Sequence, residues 1–317
     1  IDEIKEDISK ETPMMRLVQG DVGSGKTVVG ALAAAMALDS SFQVAFMAPT
    51  TLLAEQHLLS FKSFFDAKSD KIALLTGSTS TNTRKKILAD IADMKINLII
   101  GTHALFQKGV DFPNLALIII DEQHRFGVNQ RLALRNKNNS QDSAPHQLTL
   151  TATPIPRTLS MSVYANMDIS VIDELPPGRK PIKTSCLPLS DKAKLIERVL
   201  NASKNGSKAY WICPLIEESE NLDLNAVMET YEDLSDYFGE DEVGCLHGKL
   251  SPAEKQKQIE GFKNSEISVL VSTTVVEVGL DIPDADIMVI ENAERFGLAQ
   301  LHQLRGRIGR GTKESFC

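Results

Sequence analysis

Short apolar runs alternate with amphipathic stretches along almost the whole chain. In the first half the pattern predicts strands at Arg16–Gln19, Val44–Ala48, Ile72–Leu75, Leu98–Gly101, Leu115–Asp121 and Gln147–Thr151, with helices at Lys26–Leu38, Leu52–Phe65, Arg84–Met94 and Gln130–Lys137. The runs Leu98–Ile100 and Leu115–Ile120 are continuously apolar, as expected of strands buried on both faces. In the second half strands are predicted at Ala209–Cys213, Val243–Leu246, Ser268–Ser272 and Ile287–Ile290, and helices at Lys192–Ser203, Asn225–Phe238, Pro252–Phe262 and Leu298–Leu304. Strands that alternate with helices in this way form parallel sheets covered on both faces, an α/β architecture.

Between the halves, Leu175–Lys183 is rich in proline, which breaks both helix and sheet. The expected organisation is therefore a first domain over 1–175, a linker over 176–183 and a second domain over 184–317. The polar stretch Asn136–Ser143 reads as a surface loop. A length of 317 residues suits two domains.

Composition narrows the setting. Hydrophobic residues make up 42% and charged residues 24%, enough for sizeable cores, and no apolar stretch is long enough to cross a membrane. The charged opening Ile1–Glu11 does not read as a signal peptide. Cys186, Cys213, Cys245 and Cys317 lie far apart without a CxxC pair, so neither a zinc site nor a disulfide framework is expected, and a reducing cytoplasm is the simplest setting. The net charge of −8 argues against a passive high-affinity nucleic-acid binder but not against an enzyme that grips DNA in a local groove.

The strongest chemical signal is Gly20-Asp-Val-Gly-Ser-Gly-Lys-Thr27, which fits G-x-x-x-x-G-K-[ST] in full between a predicted strand and a predicted helix. Gly20, Gly23 and Gly25 let the backbone of this loop, with Asp21 and Ser24, curl so that its N–H groups face phosphates, and the following helix N-terminus adds partial positive charge. Lys26 would reach the β- and γ-phosphates of ATP, and Thr27 would hold Mg²⁺. A glycine turn that merely starts a helix is the bland alternative, and the completed motif disfavours it.

The second signal is Asp121-Glu122-Gln123-His124 at the end of the Leu115–Ile120 run. Acidic residues at the carboxyl end of a buried parallel strand fall beside a phosphate-binding loop. Asp121 would bind Mg²⁺ through water, Glu122 would orient and deprotonate the attacking water, and Gln123 and His124 would contact the γ-phosphate region or the neighbouring motif. Alone the pair would be an ordinary solvated turn. Together with the loop it indicates a nucleotide hydrolase.

Further blocks carry a resemblance. Ala48-Pro-Thr-Thr51, Thr76-Gly77, Gly101-Thr-His-Ala104, Thr151-Ala-Thr-Pro154, Thr273-Thr-Val-Val-Glu-Val-Gly-Leu-Asp281 and Gln303-Leu-Arg-Gly-Arg-Ile-Gly-Arg310 resemble the ordered motif set of superfamily 2 helicases over essentially the whole chain. Thr-Ala-Thr-Pro-Ile-Pro-Arg-Thr158 and Arg-Phe-Gly after His124 are similar to the bacterial RecG and Mfd families. Asp173–Arg179, Trp211–Ser219 and Glu291–Glu294 look like RecG specifically.

The resemblance implies two tandem RecA-like parallel-sheet domains of the P-loop NTPase class, with ATP in the cleft between them. It implies that Gln303, Arg307 and Arg310 assist catalysis, the arginines as fingers that stabilise transition-state charge, and that Gly279, Asp281 and His124 line the nucleotide site. It implies DNA contacts, mainly to the phosphate backbone, from Thr50, Thr51, Gly77, Thr102, His103, Arg157, Thr273 and Thr274. Thr151 and Thr153 would couple the ATP and DNA sites. Each threonine can equally cap a helix or form a turn. His57, His146 and His247 could be surface or core histidines. Trp211 reads as core packing, and Glu217–Glu220 as a solvated face. Aromatic residues make up only 5%, so no stacking platform for single strands is evident.

RecG proteins carry an N-terminal wedge domain and a C-terminal hook, and neither is expected within these residues, so the fragment alone is expected to bind ATP and DNA weakly. The function implied is an ATP-dependent DNA helicase or translocase, a monomeric motor that remodels stalled forks and Holliday junctions in recombination and repair. The alternatives are an Mfd-like translocase that displaces proteins, or an ATP-gated nucleic-acid clamp. The intact set Lys26, Asp121, Glu122, Arg307 and Arg310 disfavours the clamp, which needs no hydrolytic machinery.

Overall fold

The computed structural model describes residues 1–66, 71–107, 109–122, 144–152, 167–174, 180–214, 220–273, 282, 284–309, 311 and 313–317. The chain divides into two compact units, Ile1–Glu174 and Leu175–Cys317.

The first unit is a seven-stranded sheet in the order β3-β4-β2-β5-β6-β1-β7. Its strands are β1 (Met15–Gly20), β2 (Gln43–Met47), β3 (Ile72–Leu75), β4 (Leu98–Gly101), β5 (Leu115–Asp121), β6 (His146–Thr151) and β7 (Asp168–Ile172). Every pairing is parallel. Its helices are α1 (Asp2–Ile8), α2 (Lys26–Asp39), α3 (Thr51–Phe64) and α4 (Thr81–Ala92).

Alternation along each strand fills two cores. Val44, Phe46, Leu117 and Ile119 pack on one face with Ala33 and Ala34 of α2 and Ala54 and Phe61 of α3. Ala45, Met47, Ile118 and Ile120 pack on the other with Ile91 of α4. This double burial is why β2 and β5 read as unbroken apolar runs. Helix α2 is alanine-rich because it lies close to the sheet. A Cβ on its Gly30 would meet Leu150 Cδ1 at 3.3 Å and Ile119 Cγ2 at 3.6 Å.

The second unit holds a four-stranded parallel sheet in the order β11-β8-β10-β9, from β8 (Lys208–Ile212), β9 (Val243–Leu246), β10 (Val269–Ser272) and β11 (Ala285–Ile290). Its helices are α5 (Lys192–Ser203), α6 (Glu220–Phe238), α7 (Pro252–Lys263) and α8 (Leu298–Arg305). Tyr210, Ile212, Leu270 and Met288 face Phe262 of α7 and Leu304 of α8. Ala209, Trp211, Val269 and Val271 face Ile196 of α5 and Val227 of α6.

These elements bear out the expected α/β class with two parallel-sheet units. Several details differ. Helix α1 and strand β7 carry no amphipathic signature of the usual length, and both are held by Arg16 of β1. Arg16 Nε donates to Asp7 Oδ2 at 2.8 Å, and its Nη1 donates to Glu3 Oε2 at 3.1 Å and to Ser170 Oγ at 2.7 Å. Helix α6 starts at Glu220, ahead of the expected Asn225, since Asn221–Asp223 interrupts the apolar period without breaking a helix. Ile182 packs into the core of the second unit, and Lys183 N donates to Ser315 O at 2.9 Å, so the far end of the expected linker is part of that unit. The expected helix Gln130–Lys137 and the expected loop Asn136–Ser143 lie outside the described residues. All four cysteines are free. No helix among the described residues is long and apolar enough to cross a membrane.

Candidate active site

Parallel strands end at one edge of the sheet, and register places three chemical segments there side by side. Asp121 lies beside Leu150, Thr151 follows Leu150 and lies beside Gln19, and Gly20 follows Gln19. The glycine-rich loop after β1, Thr151 after β6 and the Asp121–Glu122 pair after β5 therefore occupy consecutive strand ends. The carboxyl edge of a parallel α/β sheet is where ligands bind, because the helices start there.

The loop is built by backbone conformation. Gly23 and Gly25 adopt φ values of 82° and 90°, which side-chain-bearing residues rarely tolerate. Gly20 is needed for space: a Cβ there would meet Ser24 Oγ at 2.5 Å and Ile172 Cβ at 3.0 Å. Asp21 Oδ1 accepts from Val22 N at 2.7 Å, which stiffens the turn. Lys26 opens α2 and is buried, its ammonium curled back to donate to Gly20 O at 2.9 Å and Asp21 O at 2.8 Å.

At the other side of this edge, Glu122 takes a left-handed conformation with φ 51°, while its N–H donates to Leu150 O at 2.9 Å. A non-glycine residue held at positive φ is strained backbone. Asp121 Oδ2 lies 2.9 Å from Nε2 of His57, on α3. His57 had been an ordinary candidate for surface or core, so this contact is a site feature that the sequence did not disclose. The available signal was weak: Ala54, His57 and Phe61 share the buried face of α3.

The loop and carboxylates fit ATP with Mg²⁺ on their own chemistry. Lys26 brings a positive charge into the curl of the loop, and the buried Ser24 Oγ has no hydrogen-bond partner among the described residues. A Cβ added at Gly25 would meet no atom within 4 Å, so the loop has room at that point. Thr27 and Asp121 offer the hard oxygen donors that Mg²⁺ takes.

The remaining candidates fall at matching strand ends. Thr50 is the N-cap of α3, its side chain accepting from Leu53 N, and Thr51 is the first helical residue. Gly77 follows β3, and a Cβ there would lie 3.9 Å from the His103 ring, so Gly77 and His103 are neighbours. Thr102 is buried after β4, and its hydroxyl has no partner among the described residues. In the second unit Thr273 follows β10, buried, and its hydroxyl likewise has no partner among the described residues. Gln303 lies on α8, and Arg307 follows that helix, its N–H donating to Leu304 O at 2.9 Å. Trp211 is fully buried as expected, and its Nε1 donates to Glu291 Oε1 at 2.9 Å. His124, Thr153, Arg157, Thr274, Gly279, Asp281 and Arg310 lie outside the described residues.

Two tandem RecA-like units with one phosphate-binding loop, followed at a nearby strand end by an Asp-Glu pair, define the class of P-loop motor ATPases. The chain belongs to the DEAD/DEAH box helicase family, which matches residues 3–162, and the helicase conserved C-terminal domain matches residues 191–312. It is 54% identical to the ATP-dependent DNA helicase RecG of Pasteurella multocida (strain Pm70), over 99% of this chain and 46% of that protein. The RecG of Escherichia coli (strain K12) matches with the same identity and the same shares. The chain thus spans about half the length of these relatives. A solved structure of RecG bound to a three-way DNA junction superposes with a TM-score of 0.79 at 42% identity, over 100% of this chain and 41% of that one. The DUF1998 helicase MrfA bound to DNA shares the fold, with a TM-score of 0.73 at 20% identity over 99% of this chain and 47% of that one. The resemblance to RecG stated from the motifs is borne out.

Proposed function

We propose that this chain is the motor of an ATP-dependent DNA helicase or translocase acting on branched DNA, and that it remodels stalled forks and Holliday junctions within a longer protein. The observation that carries this reading is the placement of the Gly20–Thr27 loop, Thr151 and Asp121–Glu122 at consecutive strand ends of one sheet. That arrangement serves hydrolysis, and a passive scaffold would not need it. Similarity to RecG at 54% identity supports the choice of DNA, and the solved RecG complex with a three-way junction supports branched DNA.

In this reading the backbone N–H groups of Gly23–Lys26 cradle the phosphates. The Lys26 ammonium leaves the carbonyls of Gly20 and Asp21 for the β- and γ-phosphate oxygens, exchanging neutral acceptors for charged ones. Mg²⁺, when bound, would be held by the Thr27 hydroxyl and the Asp121 carboxylate and would neutralise phosphate charge. Glu122 orients a water for attack and takes its proton. We assign Arg307 and Arg310 the role of stabilising charge in the transition state, with Gln303, His124, Gly279 and Asp281 around the nucleotide. Thr50, Thr51, Gly77, Thr102, His103, Arg157, Thr273 and Thr274 grip the DNA backbone, which lets a motor ignore sequence. Thr151, between the loop and the carboxylates, couples the two sites with Thr153. The setting is the cytoplasm and the motor is monomeric.

The test is ATP hydrolysis by the chain with and without a three-way DNA junction, beside Lys26→Ala. Stimulation by DNA that vanishes in Lys26→Ala is expected. If hydrolysis is absent here and also in the longer protein, the motor reading falls and an ATP-gated clamp replaces it. Equal stimulation by unbranched duplex would favour a translocase that displaces proteins.

A further inference from the structure

His57 belongs to none of the motifs that define the site, yet it touches the metal-binding carboxylate of the reading above. It lies on the face of α3 that packs on the sheet, in line with Ala54 and Phe61, and is 7% exposed. Its ring packs against Phe46 of β2, with centroids 4.6 Å apart. An imidazole in so apolar a place costs free energy unless its N–H finds an acceptor. The acceptor is Asp121, 64 positions along the chain, with Nε2 and Oδ2 2.9 Å apart. A carboxylate oxygen can only accept, so Nε2 carries the proton.

The ring is held by packing and the carboxylate by its ring. Asp121 ends β5, where a short side chain would otherwise rotate about χ1. With Oδ2 engaged, that rotation is restricted and Oδ1 is the oxygen left for another partner. Groups that hydrogen-bond to metal ligands in this way fix ligand geometry, and their loss typically weakens metal binding by about tenfold or more.

We propose that His57 is a positioning residue for Asp121, orienting its carboxylate for Mg²⁺. The proposal rests on the reading of Asp121 as the Mg²⁺ carboxylate. A role in packing alone predicts that any residue filling the space would serve. A positioning role predicts that only a residue with an N–H donor does.

The experiment measures the affinity of the full chain for a fluorescent ADP analogue, with Mg²⁺ and with EDTA, in His57→Phe, His57→Gln and Asp121→Asn. Thermal melting of each variant establishes that it is folded. His57→Phe fills the site without a donor. It is expected to lose about tenfold of the Mg²⁺-dependent gain in affinity, with affinity in EDTA unchanged. His57→Gln keeps an N–H and is expected to retain most of the gain. In the ATPase assay the Mg²⁺ concentration giving half-maximal rate should rise for His57→Phe, and excess Mg²⁺ should restore the rate. A folded His57→Phe with the wild-type Mg²⁺ gain overturns the proposal. If His57→Phe does not fold, His57→Gln decides: a tenfold loss of the gain in a folded Gln variant overturns it as well. Asp121→Asn separates the premise from the proposal. An unchanged Mg²⁺ gain there removes Asp121 as the metal carboxylate. A lost gain there beside an intact His57→Phe removes only the role of His57.

Discussion

In the first unit the chain leaves β1 through a glycine-rich loop whose Lys26 turns back onto Gly20 O and Asp21 O, whereas in the second unit it leaves β8 through Cys213 and Pro214, both buried. Both sheets are parallel and both are sandwiched by helices. A parallel sheet offers a ligand edge in either case, but the loop chemistry decides what that edge can hold. At the carboxyl edge of the sheet, only the first unit among the described residues combines positive-φ glycines, a buried lysine and a carboxylate pair. The second unit offers amide and guanidinium donors at Gln303 and Arg307, which suit assistance to a nucleotide rather than its primary capture.

Removing the difference at its centre should have the largest effect. Lys26→Ala is expected to lower the ATPase rate by at least about a hundredfold, the scale of losing one preorganised donor to developing charge. The fold should persist, as circular dichroism would show, because Lys26 donates to Gly20 O and Asp21 O of its own loop. A rate within a factor of a few of wild type would mean that nucleotide capture is not the property of the first unit.

The next effect concerns stability. Arg16 and Asp7 are each 10% exposed in their side chains and lie 2.6 Å apart, joining α1 to β1. Arg16→Met leaves Asp7 with Lys10 alone, and breaking a buried pair of this kind costs about 3 kcal/mol. Urea unfolding monitored at neutral pH would measure it, and the loss should appear in the first unit only. The opposite arm of the comparison is Ser251→Ala in the second unit. Ser251 caps α7, with Glu254 N donating to its hydroxyl at 3.3 Å and Ser251 N donating to Glu254 Oε2 at 2.8 Å. Loss of such a cap costs about 1 kcal/mol, which the same unfolding experiment resolves.

The smallest effect is a dependence on acid. Burial pushes the pKa of His146 below the ordinary histidine value, and its Nδ1 accepts from Met14 N at 2.9 Å. A depressed histidine pKa means that the unfolded chain takes up protons first. Stability is therefore full above about pH 6.5 and falls as pH drops through the window down to the folded value. Burial pushes the Asp7 carboxyl up, but hydrogen bonds from Lys10 and Arg16 outweigh it and hold the group below its ordinary range. Its stabilisation is present above the unfolded carboxylate pKa and is lost as pH falls further. His146→Gln should flatten the first loss between pH 7 and 5.5 and leave the second. An unchanged slope in unfolding free energy across that window would discard His146 as its source.

Much of the molecule was legible from local pattern. Strands β3, β4, β5 and β9 and helix α5 match their expected spans. The phosphate-binding loop and the Asp121–Glu122 pair were legible because their chemistry depends on residue types at short spacing. What escaped were features made by distant partners. Helix α1 is short and charged, and it is stabilised through Asp7 and Glu3 on Arg16 rather than by its own periodicity. Strand β7 is a five-residue edge with largely exposed side chains, so no burial pattern marked it. His57 looked like any histidine on a helix, because its partner lies 64 positions away.

The sequence by itself determined the class of chemistry and the order of the elements, since glycine placement, strand-end carboxylates and hydrophobic period act over a few residues. Tertiary structure alone decided which strand ends stand side by side and which side chains meet there. Parallel strands that are neighbours in the sheet are joined by long crossovers, so the contacts of Thr151 with the loop edge, of Arg16 with Ser170 and of His57 with Asp121 exist only once the whole sheet has closed.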